Sequence, residues 1–413
     1  MHTTAKAQRI SKLIMVTSDN NNKFYDMQDL DNGTFEVTYG RVGNRPSIRH
    51  YPITQWDKKY REKVRKGYRD VTGLFAEVSN AVPAYAVSDP AVKRLMDDLE
   101  RYANDAIAYH YTVSAGQVTQ QQVDEAQALL DTLAAQVRLG MDANRFNQDL
   151  LAFYAVIPRK MANVRDHLVT ALADSKALAQ VRDQLGAEQD TLDVMAGQVK
   201  TQQAQTPNAP PQSLLDALGL RIERVQDDAE VEVIRRKMGD QGDLLRTVFR
   251  VENVRTRAAF DAHVAAARTS TVEQLWHGSR NANWRSILET GLVLRPANAV
   301  ITGKMFGYGL YFADRCQKSL NYTSLRGSYW TGGTQDRGYL SLYDVHVGRQ
   351  LTIKQHDASC YQLDEAELQA RSPRFRAPYN SVFAHRGVDL RNNEYIVYNQ
   401  AQCTVRYLIE VAR

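Results

Sequence analysis

The sequence predicts a multidomain α+β protein, because its 413 residues change character twice along the chain. A basic stretch with strand patterns comes first, helical periodicity begins at about residue 88, and strands alternate with helices after residue 213. A chain of this length usually forms about two to four domains. We expect a small antiparallel β module with one helix at 1–82, an all-α helical bundle at 88–202, a linker at 203–212 and a mixed α+β domain at 213–413.

Composition excludes membrane and disulfide-rich classes. Hydrophobic residues make up 43% and charged residues 24% of the chain, which is ordinary for a globular protein. No apolar run reaches the roughly 18 residues of a membrane span, and the first residues carry no apolar signal-peptide core. Cys316, Cys360 and Cys403 have neither metal nor disulfide spacing. We expect an intracellular protein without a metal, in the nucleus of a eukaryote or the cytoplasm or nucleoid of a bacterium.

The positive charge is confined to the N-terminal region. Residues 1–75 hold 14 Lys and Arg against 8 Asp and Glu, whereas the whole chain holds 52 against 47. The remaining residues are therefore close to neutral. This asymmetry predicts an anionic partner for the first module.

Three predicted strands open the chain, at 11–17, 23–30 and 34–39, and turn residues separate them. They predict an antiparallel meander that breaks at Gly40-Arg-Val-Gly43. A helix is predicted at 54–67, with Thr54 as its cap.

The faces of this predicted helix differ in character. Trp56, Tyr60 and Val64 are expected to share one face, while basic residues that include Lys58 and Lys59 cover the others. The basic face is expected either to be simply solvated or to contact phosphates.

The middle region predicts a helical bundle. Thr119 and Gln122 form a capping-box pattern, and Asp142 opens a helix that stops before Pro158. Two more helices are predicted at about 163–185 and 187–202. A bundle that only buries its own core is one interpretation of this pattern.

A strand, a turn and a helix are predicted around Leu275-Trp-His-Gly-Ser279. Asn281 is the expected N-cap of the helix, and Gly291 stands where a helix end favours positive φ. His277 is therefore expected at the mouth of this unit. A histidine in such a position is more often structural than functional, so its assignment depends on the motifs that come later in the chain.

A glycine-rich loop and two further motifs occupy the next part of the chain. Three glycines between residues 302 and 314 predict close approach of backbone to a ligand, and Leu310-Tyr-Phe312 is a predicted strand. Asp314 is expected to cap a helix at 315–322 that places Ser319 and Tyr322 on one face. Strands are predicted at 339–347, 393–398 and 404–411. Glu394 begins the second of these three strands, where a carboxylate marks either a sheet edge or a functional site.

Taken together, these motifs resemble the ADP-ribosyltransferase domain of the poly(ADP-ribose) polymerase family. Leu275-Trp-His-Gly-Ser279, Gly309-Leu-Tyr-Phe-Ala-Asp314, Lys318-Ser-Leu-Asn-Tyr322 and Asn393-Glu-Tyr-Ile-Val-Tyr398 occur in the family's order. The resemblance implies a catalytic triad of His277, Tyr311 and Glu394. It also implies NAD+ as the co-substrate, with nicotinamide as the leaving group.

The resemblance further implies which residues hold NAD+. Gly278 and Ser319 are expected to bind the nicotinamide carboxamide, and Tyr322 to stack on its ring. Ser279, Asn283 and Arg295 are expected at the adenosine half, and Lys318 beside the acceptor. Lys304 and Tyr308 depart from the family, which usually has an aromatic residue at the first position and a lysine at the second.

The first two regions resemble further parts of the same family. Tyr39-Gly-Arg-Val-Gly43 followed by a basic helix is similar to the WGR domain, which grips DNA breaks; this implies DNA contacts by Tyr39, Gly40, Arg41, Lys58 and Lys59. The helical region resembles the regulatory domain that restrains the catalytic site, with Asp190 and Asp193 as the matching acidic residues.

The resemblance as a whole implies a poly(ADP-ribose) polymerase stimulated by DNA strand breaks with 5′-phosphorylated ends or nicks. Its expected acceptors are proteins, including the enzyme itself. A mono-ADP-ribosyltransferase acting on protein or DNA ends is one alternative. A DNA-end-binding scaffold with an inactive transferase fold is another.

Overall fold

The computed structural model describes residues 9–74, 87, 89–139, 142–170, 175–203, 214–294, 305–307, 309–328, 331–332 and 335–413. The predicted linker beyond Gln203, together with Arg295, Lys304 and Tyr308, lies outside the described residues. Contacts divide the chain into two units. The described residues of the first lie within 1–80 and 106–199, and those of the second within 81–105 and 200–413. No helix in the described ranges has the length and apolar character needed to cross a membrane.

An antiparallel five-stranded sheet forms the start of the first unit, in the order β4-β3-β2-β1-β5. Its strands are β1 (Ile10–Thr17), β2 (Asn21–Asp29), β3 (Thr34–Arg41), β4 (Ser47–Pro52) and β5 (Arg69–Asp70). The predicted meander of the first three strands is confirmed, and β4 and β5 were not predicted. Residues of β4 are mostly exposed, so the strand lacks the alternating apolar pattern that would reveal it. Since β3 includes Gly40 and Arg41, the predicted break starts later, at Val42.

The helix of this module, α1 (Trp56–Arg65), starts after a short 3₁₀ turn. Its N-cap is Gln55, which makes no side-chain cap bond, so the predicted cap at Thr54 is wrong. Val64 is also wrongly placed, because it is 43% exposed, whereas Lys63 covers aromatic rings of the sheet. At 100° per residue, position i+7 lies about 20° from Trp56 and position i+8 about 80° away. Lys63 therefore follows the buried stripe more closely than Val64.

Helices complete the first unit. They are α2 (Pro90–His110), of which residues 106–110 belong here, α3 (Gln120–Leu139), α4 (Ala143–Val156) and α5 (Ser175–Gln203). The capping box is confirmed, since Thr119 N donates to Gln122 Oε1 at 3.1 Å and Gln122 N to Thr119 Oγ1 at 3.2 Å. The cap at Asp142 is confirmed by the bond from Arg145 N at 2.8 Å.

The last predicted helix pair is wrong, because α5 runs unbroken through Gly186. A 3₁₀ turn at Val164–His167 replaces the start of the first predicted helix. Leu185 and Leu192 are buried on either side of Gly186. Their packing outweighs the roughly 1 kcal/mol cost of a glycine within a helix.

The second unit alternates strands and helices. Its strands are β6 (Leu220–Arg224), β7 (Leu245–Asn253), β8 (Val272–Gly278), β9 (Leu310–Phe312), β10 (Gly327–Ser328), β11 (Thr331–Gly332), β12 (Arg337–His346), β13 (Gln350–Ile353), β14 (Ser381–Ala384), β15 (Glu394–Val397) and β16 (Cys403–Ala412). Its helices are α6 (Leu214–Ala217), α7 (Asp228–Lys237), α8 (Val254–Ala266), α9 (Asn281–Thr290), α10 (Cys316–Leu320) and α11 (Glu365–Ala370). The predicted mixture of strands and helices is therefore present.

These strands form two main sheets and a short two-stranded pair. The larger sheet has the order β6-β7-β16-β12-β8, and the smaller has the order β13-β14-β15-β9. All pairings are antiparallel except that of β13 with β14. The sheets meet where Trp276 of the larger one exchanges backbone bonds of 2.8 and 2.9 Å with Ala313, which follows β9. This junction positions the candidate site.

The first part of α2 packs into the second unit. Val92, Leu95, Met96 and Leu99 belong to a hydrophobic core shared with the larger sheet and α9. On the polar side, Arg337 Nη1 lies 3.0 Å from Glu410 Oε1 and 3.4 Å from Asp98 Oδ2 of α2. Residues 90–105 therefore pack with the second unit, whereas the sequence placed them in the helical bundle that begins at residue 88.

Candidate active site

Three neighbouring strands carry His277, Tyr311 and Glu394. Tyr311 on β9 is paired with Ile396 on β15, two residues from Glu394. His277 on β8 directly follows Trp276, which forms the bridge to the residue after β9. The two sheets therefore bring together side chains that are 34 to 117 residues apart in the chain.

Hydrogen bonds hold both the ring and the backbone of His277. Its Nδ1 lies 3.0 Å from the Tyr311 carbonyl oxygen, so Nδ1–H donates, and in the neutral ring Nε2 is the acceptor nitrogen. Ser341, which is fully buried, donates to the His277 carbonyl oxygen at 3.2 Å. Aromatic rings of Trp284, Phe312 and Tyr343 pack around the imidazole. The histidine is therefore fixed in orientation before any ligand binds.

The Tyr311 hydroxyl forms hydrogen bonds with the backbone at the end of the glycine-rich loop. It donates to the Gly307 carbonyl oxygen at 2.9 Å and accepts from Phe306 N at 3.0 Å. The Tyr398 hydroxyl donates to the Phe306 carbonyl oxygen at 2.6 Å. Burial, together with nearby Tyr398, raises the pKa of Tyr311 well above its usual value, so the phenol stays protonated as a donor. These loop contacts were not predicted from the sequence.

Glu394 lies inside the smaller sheet and is 8% exposed. Because β15 is flanked by β14 and β9, the sheet-edge interpretation of this carboxylate is wrong. Lys318 Nζ forms an ion pair and hydrogen bond with Glu394 Oε1. Burial lowers the pKa of Lys318, and the attraction of Glu394 opposes that shift.

Asp314 does not cap α10 as predicted. The N-cap is Arg315, without a side-chain cap bond, and Asp314 Oδ2 accepts from Asn393 Nδ2 at 2.7 Å. Asn393 also accepts from Arg386 N at 2.9 Å. The carboxylate of Asp314 therefore anchors the residue immediately before Glu394 rather than the helix.

Gly278 and Ser319 approach each other more closely than any side chain would allow. A Cβ on Gly278 would lie 2.0 Å from the Ser319 carbonyl oxygen. Tyr322 lies one turn after Ser319, with its backbone N donating to Ser319 O at 3.1 Å. Its ring is 50% exposed. The half-exposed Tyr322 ring thus lies beside the close contact between Gly278 and Ser319. This arrangement suits a flat ring that carries an amide group.

The start of α9 holds the residues expected at the adenosine half. Asn283 Nδ2 donates to Ser279 Oγ at 3.1 Å, so these two side chains lie together. Asn281 is not the N-cap as predicted; that position is Arg280. Asn281 is instead buried, where its Nδ2 donates to the Arg337 carbonyl oxygen at 3.0 Å. The predicted positive φ at Gly291 is confirmed at 80°.

Basic side chains lie over aromatic rings beside α1 in the N-terminal module. The Arg49 guanidinium lies 5.8 Å from the ring centre of Tyr39, and Lys59 Nζ lies 4.7 Å from that of Tyr51. Lys63 Nζ lies 4.2 Å from the ring centre of Tyr25. We call this set, with the exposed Lys58, the β-module surface. Arg49 was not predicted, and Lys63 was expected only as one of the basic residues of the helix, because their ring contacts depend on sheet register and helix rotation.

Arg41 has partners other than the expected phosphate. Its guanidinium donates to the carbonyl oxygens of Asn20 at 2.8 Å and Ala162 at 2.8 Å, and to Asn20 Oδ1 at 2.9 Å. It also lies 3.3 Å from the Met161 carbonyl oxygen. Arg41 therefore joins the β module to residues 161–162 within the first unit. At Gly40 a Cβ would meet only ordinary contacts, the nearest at 3.6 Å from Pro46 Cα.

Asp190 and Asp193 both lie on α5. Asp190 is exposed, and Asp193 Oδ1 accepts from Gln189 Nε2 at 3.1 Å. Among the side chains described, no three His, Cys, Asp or Glu residues gather as a metal site would need.

Residues 222–413 match the model of the poly(ADP-ribose) polymerase catalytic domain. Over 191 residues the chain is also 32% identical to uncharacterized protein 101L of Invertebrate iridescent virus 6, covering 46% of this chain and 77% of the viral protein. The chain belongs to the poly(ADP-ribose) polymerase family. The family's catalytic domain is an ADP-ribosyltransferase that uses NAD+, and the chain carries that domain.

Two named polymerases match the same part of the chain. Poly [ADP-ribose] polymerase 2 of Arabidopsis thaliana is 36% identical over 154 residues, which is 33% of this chain and 23% of the plant protein. The Homo sapiens protein of the same name is 33% identical over 156 residues, which is 33% of this chain and 26% of the human one. The chain thus matches about a quarter of the length of these two polymerases.

Proposed function

We propose that the protein is an ADP-ribosyltransferase stimulated by DNA breaks. It cleaves NAD+, releases nicotinamide and attaches poly(ADP-ribose) to itself and to other proteins in the response to DNA damage. The observation that carries the proposal is the convergence of His277, Tyr311 and Glu394 from three neighbouring strands, with Glu394 buried and paired to Lys318.

The reaction breaks the bond between the nicotinamide nitrogen and C1′ of the ribose. The bonding electron pair leaves with nicotinamide, and positive charge develops on the ribose as in glycoside cleavage. A buried carboxylate such as Glu394 stabilises that charge strongly, because little water screens it. The acceptor hydroxyl then forms the new bond to C1′, and its proton passes to the Glu394 carboxylate.

The leaving group fits the junction of β8 and α10. The Gly278 backbone and the buried Ser319 hydroxyl supply hydrogen-bonding groups for a carboxamide, and the half-exposed Tyr322 ring offers a stacking face. Tyr311 bounds the opposite side and holds the turn at residues 306–307. His277 presents an acceptor nitrogen to a ribose hydroxyl. Lys318 holds the Glu394 carboxylate in place through their ion pair.

The β-module surface supports the proposed DNA contact. It brings cations together with the partly buried rings of Tyr39 and Tyr51, and such surfaces hold bases and sugars by stacking and phosphates by charge. We assign the contacts to Tyr39, Lys58, Lys59, Arg49 and Lys63. Arg41 takes the separate role of transmitting binding to residues 161–162. The helical region, through Asp190 and Asp193, is proposed to restrain NAD+ binding until DNA is bound.

The proposal is tested with labelled NAD+ and the full chain, with and without a nicked duplex carrying a 5′-phosphate. We expect strong protein labelling only with DNA, and a long smear on a gel because polymer forms. A single discrete band would instead indicate mono-transfer, and labelled oligonucleotide would indicate transfer to DNA ends. Background nicotinamide release with and without DNA would contradict the enzymatic proposal and favour an inactive DNA-binding scaffold.

A variant of the β-module surface separates sensing from catalysis. Tyr39→Ser combined with Lys59→Ser should lose stimulation by the nicked duplex while keeping the activity seen without DNA. Lys237→Ser, at the exposed end of α7, is the matched control and should respond to DNA as the wild type does. Undiminished stimulation of the double variant would contradict the DNA-binding assignment and leave the transferase assignment standing.

A further inference from the structure

An exposed aromatic ring stands between two unpaired arginines in the second unit. Phe375 is 99% exposed, and Arg374 and Arg376 on either side are also exposed. Within the described part of the chain, neither arginine has an ion pair or a side-chain hydrogen bond. No Asp or Glu occurs from residue 368 to residue 388, although Arg371 and Arg386 also lie in this stretch. The tip formed by residues 374–376 is therefore both apolar and strongly positive.

The loop that carries this tip is held closed at its base. Ser372 Oγ donates to the Leu368 carbonyl oxygen at 2.7 Å and accepts from Tyr379 N at 2.8 Å, which joins the two ends. Arg349 Nη1 donates to the Ala377 carbonyl oxygen at 2.7 Å, and its guanidinium lies 4.6 Å from the ring centre of Tyr379. The ring of Phe375 is thus presented on a braced loop and not folded back onto the domain.

The loop enters β14 at the end that is farther from the catalytic carboxylate. The loop leads into Ser381, which is paired with Val397, whereas Glu394 is paired with Ala384 at the other end of β14. Three residues of register separate the two ends, which is roughly 10 Å along a strand. Neither the NAD+ site nor the β-module surface includes any residue of this loop.

We propose that the tip of residues 374–376 binds single-stranded nucleic acid. Phe375 stacks on an unpaired base, and Arg374 and Arg376 neutralise the phosphates on either side of it. An aromatic ring between cations is the arrangement by which proteins hold single strands without reading their sequence. A membrane surface fits less well, because a single exposed ring lacks the extended apolar face that inserts into lipid. A purely acidic peptide would leave the ring without a partner.

This inference goes beyond the proposed function, since it gives the catalytic domain its own nucleic-acid contact. It would hold a displaced or frayed strand close to the transferase while the N-terminal module holds the break. The binding itself does not depend on DNA-stimulated catalysis, so the two are tested separately.

The test measures binding of the full chain to a fluorescent 20-nucleotide oligo(dT) by anisotropy at several salt concentrations. Phe375→Ser should weaken binding roughly 5- to 150-fold, the usual value of one stacked base. Phe375→Trp should retain it. The double variant Arg374→Ser with Arg376→Ser should reduce the slope of log K against log salt by about 1.4, because two phosphate contacts are lost. Val388→Ser, at an 82% exposed position of the same domain, is the matched control and should bind as the wild type does.

Three outcomes would overturn the proposal. The first is oligo(dT) affinity of Phe375→Ser equal to that of the wild type and Val388→Ser. The second is cosedimentation with phosphatidylserine vesicles that Phe375→Ser loses while its oligo(dT) affinity is unchanged. The third is loss of oligo(dT) binding only in the Tyr39→Ser, Lys59→Ser double variant, which would place all binding on the N-terminal module. Because Phe375 is 99% exposed, the melting temperatures of the Phe375 variants should equal that of the wild type.

Discussion

Lys318 and Glu394 form an ion pair between the short helix α10 and the first residue of β15. Their side chains are 15% and 11% exposed, so both charges are largely removed from water. In such a pair each charge offsets the desolvation of the other, and loss of one partner leaves the second charge uncompensated. The pair thus fixes the carboxylate on which the proposed chemistry depends.

Removal of the Lys318 charge should impair catalysis, because Glu394 loses the partner that positions it. In Lys318→Met the side-chain length is kept but the charge is lost, so the ion pair that positions the Glu394 carboxylate disappears. We expect kcat for nicotinamide release to fall at least tenfold. Breaking a buried pair also costs about 3–5 kcal/mol of folding stability. Lys318→Arg, which keeps the charge, should restore most of kcat; an unchanged kcat in Lys318→Met would contradict the role.

The contact between Gly278 and Ser319 predicts a steric effect on NAD+ binding. Gly278→Ala places a methyl group 2.0 Å from a backbone carbonyl oxygen, so β8 and α10 must separate. We expect a higher KM for NAD+ and a loss of about 1–3 kcal/mol in unfolding free energy. Gly387→Ala is the control, since a Cβ there meets nothing within 4 Å. Equal KM values for the two variants would show that the junction does not line the nicotinamide site.

Arg41 predicts a variant that binds DNA but does not respond to it. Arg41→Ala removes the bonds to the carbonyl oxygens of residues 161 and 162 while leaving the β-module surface intact. We expect duplex affinity within about threefold of the wild type, together with loss of most DNA stimulation, measured as labelled product with and without the nicked duplex. Arg45→Ala, at an exposed neighbouring position, should change neither quantity. A large drop in duplex affinity would instead return Arg41 to the phosphate contact first expected for it.

His263 predicts acid sensitivity of the catalytic unit. Its Nε2 lies 3.1 Å from His346 Nδ1, and burial, followed by the proximity of His346, lowers the pKa of His263, whereas Glu365 opposes the shift. The unfolded chain therefore binds a proton more readily than the folded one below about pH 6.5, so the unfolding free energy falls as pH decreases. Denaturant titrations from pH 7.5 to 5 should show a shallower decline for His263→Gln than for the wild type. Parallel declines would exclude this histidine as a cause.

Local signals predicted much of the site. Alternation, turn residues and capping preferences act over only a few positions. They predicted the strand and turn at Leu275-Trp-His-Gly-Ser279, the strand at Glu394 and the positive φ of Gly291. The sheet-edge interpretation of Glu394 was wrong because edge or interior position depends on sheet order, which one strand does not encode. The Lys318–Glu394 ion pair was not predicted for the same reason. It and the hydrogen bonds of Tyr311 to residues 306–307 form only where the two sheets meet at Trp276.

Errors in the helices have a similar origin. Asp314 has the residue type of an N-cap, yet its carboxylate bonds to Asn393, which is 79 residues away. Gly186 is a plausible helix stop, but tertiary packing keeps α5 continuous. The strand β4 carries no apolar pattern because it is an exposed edge strand. At Asp314 and Gly186 a long-range contact outweighs a local preference, whereas β4 offers no local pattern to detect.

The most direct test of the central claim is the activity of Glu394→Gln with labelled NAD+ and a nicked duplex. The substitution keeps size and hydrogen bonding but removes the negative charge that stabilises the ribose cation. Loss of one preorganised group typically costs about 2.7–4 kcal/mol, or roughly 100- to 1,000-fold in rate. We predict that nicotinamide release falls by at least that factor and polymer disappears, while duplex affinity stays unchanged. Near-normal release and polymer from Glu394→Gln would contradict the assignment of this site as the transferase centre.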